Sequence, residues 1–164
     1  MKAVILAAGV GRRFGPLPER QPKCLLPVGG STLLERMLDA LEAVGAREAV
    51  LTVGHCQDQI RALIGKRSGR LPVRYIENPE YAKGSLRSLW AVRSELSGNC
   101  LVMDADVLFP PELLRRLVAA SAPSAFLLDE SFTEREAYQE GCLSDEPDFS
   151  RYEDDDPSQE EDDG

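Results

Sequence analysis

Three short segments carry side chains whose types and spacing suit polyphosphate chemistry. Gly9-Val10-Gly11-Arg12-Arg13-Phe14 sets two glycines beside two arginines. Glycines at such a turn let the backbone come close to a phosphate and aim its N–H groups at it. Gln21-Pro22-Lys23 follows in the same stretch, so Arg13 and Lys23 could both reach phosphates held by the turn. Fixed cations aimed at a transferring phosphoryl group are the main catalytic device of that chemistry. Asp104-Ala105-Asp106 supplies hard carboxylate oxygens suited to Mg²⁺. Each segment also has a plainer reading: a tight turn with incidental arginines, a solvated surface lysine, and an Asx-type turn that starts a helix at Pro110.

Other chemistries are excluded by what the spacing lacks. A dinucleotide fingerprint would need a glycine where Phe14 stands, and no acidic residue closes a second strand about 20 residues on. The GxxxxGK[ST] phosphate loop is absent. The four cysteines (Cys24, Cys56, Cys100, Cys142) form no CxxC pair and His55 is the single histidine, which argues against a zinc site or a secreted disulfide framework. No Ser-His or Cys-His nucleophile arrangement is evident. His55, after Gly54, is open to two readings, a pocket-lining residue or an ordinary loop residue.

The elements that must position these groups follow from hydrophobic periodicity. Ala3–Ala8 is a continuous apolar run, as in a strand buried on both faces. Residues 9–30 are rich in Gly and Pro and predict a loop far longer than an ordinary strand-to-helix connection. Thr32-Leu33-Leu34-Glu35 is a capping box opening a helix that stops at Gly45. Ala49–Val53 and Val73–Ile76 predict strands, with a helix at Gln57–Ile64 ending at Gly65 between them. Gly84–Leu96 predicts a helix with Leu86, Leu89, Trp90 and Val92 apolar. Cys100–Met103 predicts a fourth strand, Pro110–Ala120 a helix and Ala125–Leu128 a fifth strand. Strands alternating with helices imply right-handed βαβ units. The expected class is α/β, a Rossmann-like three-layer sandwich with a mainly parallel sheet in the order 3-2-1-4. That order would set the glycine turn and Asp106 on either side of one crevice.

Charge divides the chain. Residues 129–164 carry a net charge of −14, whereas residues 1–128 carry +5. The basic front suits an anionic ligand, and the tail has almost nothing to bury and reads as disordered. We therefore expect a domain over 1–132 and an acidic tail over 133–164. The apolar run after Met1 is too short for a signal peptide, and no run approaches the ~20 residues of a membrane span. The expected setting is cytoplasmic, without membrane or nucleic-acid partners.

Leu6-Ala7-Ala8-Gly9-Val10-Gly11-Arg12-Arg13-Phe14 followed by Pro22-Lys23-Cys24-Leu25-Leu26-Pro27-Val28 resembles the opening of the sugar-phosphate nucleotidylyltransferase and MobA-like superfamily, LAAGxGxR…PKxLxPV. Asn78-Pro79-Glu80-Tyr81, Ser88-Leu89-Trp90 and Met103-Asp104-Ala105-Asp106 look most like its phosphocholine cytidylyltransferase branch. The resemblance covers about residues 1–130. It implies the nucleotide-diphospho-sugar transferase type of fold and transfer of a nucleoside monophosphate from an NTP, CTP favoured, to a small phosphorylated acceptor. It further implies that Leu6, Ala7, Ala8 and Gly9 meet base and ribose through backbone groups, that Gly84 and Ser85 turn against the base, and that Gly11, Arg12 and Arg13 hold the triphosphate. Lys23 would neutralise charge at the α-phosphate, and Asp106 would hold Mg²⁺. Arg13, Lys23 and Asp106 are thus the expected catalytic set. Family members run well past this length, and the abrupt acidic shift after Asp129 reads as truncation of a longer enzyme. Missing strands would leave an open sheet edge, favouring homo-oligomers or low stability. A non-catalytic nucleotide-binding module and an acidic-tailed interaction protein stand as the alternatives.

Overall fold

The computed structural model describes residues 1–9, 21–122 and 124–127. The chain divides into two units, Met1–Ala125 and Phe126–Gly164, and the first carries every element that follows. The strands are β1 (Lys2–Leu6), β2 (Pro27–Val28), β3 (Ser31–Thr32), β4 (Glu48–Val53), β5 (Val73–Glu77) and β6 (Cys100–Asp104). The helices are α1 (Leu33–Ala43), α2 (Gln57–Lys66), α3 (Ser85–Ala91) and α4 (Pro111–Ala119). The expected domain boundary at 132 lies outside the described residues.

The main sheet runs β5-β4-β1-β6 with all pairs parallel, which is the anticipated 3-2-1-4 order of its strands. β1 is central, and its Ala3, Val4 and Ile5 are fully buried, as a run apolar on both faces requires. One face packs Ala3, Ile5, Ala49, Leu51, Val53 and Leu101 against α1, α2 and α4 through Leu34, Leu38, Leu41, Ile60 and Leu114. The other face packs Val4 and Val50 against Val92, with Leu6, Ile76 and Leu89 at the margin. Helices on both faces make the three-layer sandwich.

The capping box at α1 forms as read. The Glu35 N–H donates to Thr32 Oγ1 at 3.2 Å, and the Thr32 N–H donates to Glu35 Oε2 at 2.8 Å. Gly45 follows the helix at φ +77°, where a side chain would be strained. Other expectations need correction. α2 does not stop at Gly65 but continues to Lys66. The stretch 9–30 is not all loop: it holds a 3-10 turn at Lys23–Leu25 and a small β2–β3 hairpin. Gly29 and Gly30, both at positive φ, make the hairpin turn, a two-residue Gly-Gly signal present in the sequence. Ala125–Leu127 carry no strand, and Leu128 lies outside the described residues.

The region 84–96 shows the largest difference. α3 ends at Ala91 and passes into a 3-10 turn at Arg93–Glu95. Ser88 and Val92 face the sheet, whereas Leu86 and Trp90 are 79% and 62% exposed. Positions four apart share a helix face, so 88 and 92 point inward and 86 and 90 point away. Trp90 instead carries the Arg93 guanidinium over its ring at 4.6 Å. Among the described residues β6 is an edge strand, and its Val102 is 47% exposed on the α3 side of the sheet.

Two stability predictions arise here. Thr52 lies in the row Ile76–Thr52–Leu6–Asp104 across the sheet, and its Oγ1 is buried with no hydrogen-bond partner among the described residues. An orphaned hydroxyl forfeits its hydration, so Thr52→Val should raise stability by about 1 kcal/mol. A higher urea midpoint at unchanged slope is the expected signature. At the opposite end of the strands, Glu95 accepts from Lys2 Nζ at 2.7 Å and from Arg74 at 2.8 Å. Arg74 and then Lys2 hold its carboxyl at about 2, below the ordinary 4.5. A depressed carboxylate contributes stability that is full above its unfolded value and is lost as pH falls through its folded one. Stability should therefore drop between about pH 4.5 and pH 2, and Glu95→Gln should flatten that limb of a pH-dependent unfolding series.

Candidate active site

Because the four strands are parallel, their carboxyl ends open at one edge of the sheet, where ligands bind in open α/β sheets. The ladder runs past β1 there. The Ala7 N–H donates to the Thr52 carbonyl at 2.9 Å, the Ala105 N–H to the Leu6 carbonyl at 3.1 Å, and the His55 N–H to the Ala8 carbonyl at 3.3 Å. Ala7, Ala8 and Ala105 are buried. The Leu6 and Ala8 carbonyls and the Ala7 N–H, in the segment expected to meet base and ribose through backbone groups, are thus hydrogen-bonded within the protein. Gly9 is exposed, with open space where a Cβ would stand.

Lys23 begins the 3-10 turn held between Pro22 and Leu26. The Leu25 N–H donates to the Pro22 carbonyl at 2.9 Å, and Gln21 Nε2 donates to the Leu25 carbonyl at 3.2 Å. Cys24 anchors the turn in the core below α1; burial pushes its thiol up to about 12, so it stays a neutral apolar plug. With its backbone fixed, Lys23 sends its chain across to the end of β6. Its Nζ lies 3.4 Å from Asp106 Oδ2, with the Lys23 side chain 17% and the Asp106 side chain 40% exposed. Asp106 holds its place because Ala105 is hydrogen-bonded to Leu6. Asp104 ends β6 in register with Leu6, and its carboxyl is raised by desolvation and then by the neighbouring Asp106.

The third part of the rim comes from the 78–85 segment. Asn78 is buried and acts as a clip: its Nδ2 donates to Ser88 Oγ at 3.1 Å, and its Oδ1 accepts from the Glu80 N–H at 3.0 Å. That clip ties the end of β5 to α3 and sets Gly84 at the start of the helix. Gly84 has φ +110°, a conformation that favours glycine. Ser85 follows as the first residue of α3.

Sequence reasoning missed Gly54. A Cβ there would meet the Tyr81 ring and Cβ at 2.7–2.8 Å, so only glycine lets Tyr81 lie over the end of β4. The signal available was the Gly-His pair directly after a strand. The His55 ring then sits 6.0 Å from Tyr81, and its Nε2 lies 3.3 Å from Cys56 Sγ. Of the expected site residues, Lys23 and Asp106 are brought into contact. Leu6, Ala7, Ala8 and Gly9 lie at the carboxyl end of β1, and Gly84 and Ser85 stand at the start of α3. Gly11, Arg12 and Arg13 lie outside the described residues. No group of three or more metal-ligating side chains occurs among the described residues.

This geometry can be set beside known proteins. The model for the MobA-like NTP transferase domain matches residues 3–136. The CMP-5'-(3-aminopropyl)phosphonate synthase of Streptomyces rubellomurinus is 39% identical over 126 residues, covering 76% of this chain and 20% of that protein. The choline-phosphate cytidylyltransferase of Streptococcus pneumoniae is 37% identical over 107 residues, covering 65% of this chain and 44% of that protein. The solved structure of the CTP:phosphocholine cytidylyltransferase from Streptococcus pneumoniae superposes with a TM-score of 0.57 at 38% identity, over 64% of this chain and 44% of that one. The chain thus spans less than half the length of these relatives. It belongs to the MobA-like NTP transferase domain family. None of the helices among its described residues is long and apolar enough to cross a membrane.

Proposed function

We propose that this chain is a nucleotidyltransferase moving a nucleoside monophosphate, CMP by preference, from an NTP to a small phosphorylated acceptor, with release of pyrophosphate. The observation that supports the reading best is the approach of Lys23 Nζ to within 3.4 Å of Asp106 Oδ2, at the strand edge where Leu6–Gly9 emerges. The CMP-phosphonate and phosphocholine chemistry in the names of the two relatives favours CTP as donor and a phosphonate or phosphocholine as acceptor. Sugar phosphates are the third acceptor class.

The residues act by position and charge. Leu6, Ala7, Ala8 and Gly9 hold base and ribose through main-chain groups, with Gly84 and Ser85 closing against the base. Gly11, Arg12 and Arg13 hold the triphosphate. Lys23 and Arg13 face the charge that builds on the α-phosphoryl group, where fixed cations lower the barrier most. The acceptor oxygen attacks the α-phosphorus in line, the bond to the β-phosphate oxygen breaks, and pyrophosphate leaves. No protein nucleophile is required.

The donor chemistry fits Mg²⁺. Asp106 is a hard oxygen donor that is partly open to solvent, and its Oδ2 already faces a cation, the Lys23 ammonium. Bound there, Mg²⁺ would neutralise phosphate charge and orient the nucleotide. Asp106 would hold it, and Asp104 stands two residues away.

The test is pyrophosphate release by the full chain from each of four NTPs, with phosphocholine, 2-aminoethylphosphonate or sugar phosphates as acceptor. Release with CTP and at least one acceptor is expected. A folded sample silent across the panel overturns the reading. Among the described residues Val102 on edge strand β6 is exposed, and a nucleotide-binding module without turnover is the alternative reading. It would show saturable CTP binding and no pyrophosphate. The exposed apolar side chains of Val102, Leu86 and Trp90 support self-association. Light scattering showing monomer at all concentrations would remove that part.

A further inference from the structure

The Lys23–Asp106 pair joins the two groups that the proposed reaction assigns to different ligands. Lys23 is meant for a phosphate and Asp106 for a metal ion, yet they lie against each other at 3.4 Å. The contact is more than a chance pairing of two surface chains. The Lys23 side chain is only 17% exposed, and its backbone is fixed by a 3-10 turn plugged into the core through Cys24. Asp106 is fixed by the Ala105–Leu6 hydrogen bond. What remains adjustable is the four-carbon lysine stem, a flexible carrier of a point charge.

We propose that this ion pair is an exchange element that couples metal binding to nucleotide binding. Without ligand, the Lys23 ammonium satisfies Asp106 and competes with a divalent cation for Oδ2. When a polyphosphate arrives, its oxygens draw Lys23 away and leave Asp106 open to the metal. Two cations and two anions thus trade partners in one site, and neither carboxylate nor ammonium is left unpaired in a partly buried place. Linkage requires the effect to be reciprocal: whatever releases Asp106 for the metal also releases Lys23 for the nucleotide. The inference rests on the nucleotidyl-transfer reading above.

The experiment uses the full chain and two probes, Mg²⁺ alone and CTP in EDTA. Amide shifts of Ala105 and Asp106 in ¹H–¹⁵N spectra report Mg²⁺ at this site, separately from any cation taken up by the acidic tail. Lys23→Met should bind Mg²⁺ tighter than the natural chain, by roughly three- to tenfold, the scale of a partly exposed ion pair. Lys23→Arg, which keeps the charge, should stay within about twofold. Asp106→Asn should lose the Mg²⁺ response and bind metal-free CTP more tightly by a factor of the same order.

Unchanged or weaker Mg²⁺ binding in Lys23→Met, with Asp106→Asn still unresponsive, overturns the exchange and leaves the metal assignment standing. Unchanged Mg²⁺ shifts in Asp106→Asn overturn the metal assignment itself. Should Lys23→Met fail to fold, Lys23→Gln carries the same expectation. The CTP measurement on Asp106→Asn needs no Lys23 variant, and CTP binding no tighter than in the natural chain also overturns the exchange.

Discussion

Asp106→Ala should lower pyrophosphate release from CTP by on the order of a thousandfold while leaving the fold intact. A metal ion held by Asp106 would supply several kcal/mol of charge stabilisation in the transition state, and a thousandfold is about 4 kcal/mol. In the proposed reaction that role belongs to Asp106, which faces the Lys23 ammonium and is partly open to solvent. The cost should fall mainly on kcat, because the interaction strengthens as charge develops on the transferring group. Steady-state kinetics in saturating Mg²⁺ would measure it. The protein should unfold at nearly the natural denaturant midpoint, because removing Asp106 breaks only one partly exposed ion pair. A loss of less than about tenfold would mean that the metal is held by other groups.

The second large effect is on the fold. Ile5→Ala should cost about 2–5 kcal/mol, a large share of the roughly 5–15 kcal/mol that a domain of this kind has. Ile5 is fully buried in the central strand, opposite Leu51 on β4 and Met103 on β6, within the core that α1, α2 and α4 share. No single neighbour can collapse into the gap, because the strands on both sides are fixed by their ladders. Ile5→Val should cost about 0.5–1.5 kcal/mol. Urea unfolding of the two variants separates cavity formation from loss of one methyl group. Leu6–Gly9 follows directly in the chain, so Ile5→Ala should also weaken CTP binding wherever the sample stays folded. Equal stability of the two variants would show that this core can repack.

Much of the framework was legible in the residues. The apolar run at 3–8, the capping box at Thr32 and Glu35, and alternating strand and helix patterns led to the parallel sheet and its order. These signals are local: periodicity and capping chemistry depend on neighbours within a few positions. What failed was local as well, where the pattern had two solutions. Gly65 could end a helix or lie within one, and α2 runs through it because Ile60 and the partly buried Leu63 and Ile64 pack against the core. In α3, Leu86 and Trp90 look like core residues by type, yet positions 88 and 92 are the ones that reach the sheet.

The candidate site was legible as a set of residue types and, through the strand order, as the two sides of one crevice, but not as contacts. Sequence alone identified Lys23 and Asp106 as a cation and a carboxylate suited to phosphate and metal, along with the strand ends that had to carry them. It gave no means of knowing that they touch, since 83 positions separate them and only the β1–β6 register with the Cys24-anchored turn sets that distance. Nor could it show that the Leu6 and Ala8 carbonyls are hydrogen-bonded within the protein, or that Gly54 is required beneath Tyr81. The physical reason is the same in each case. Residue chemistry and short-range period are written along the chain, whereas hydrogen-bond partners and van der Waals clearances exist only once distant segments are packed together.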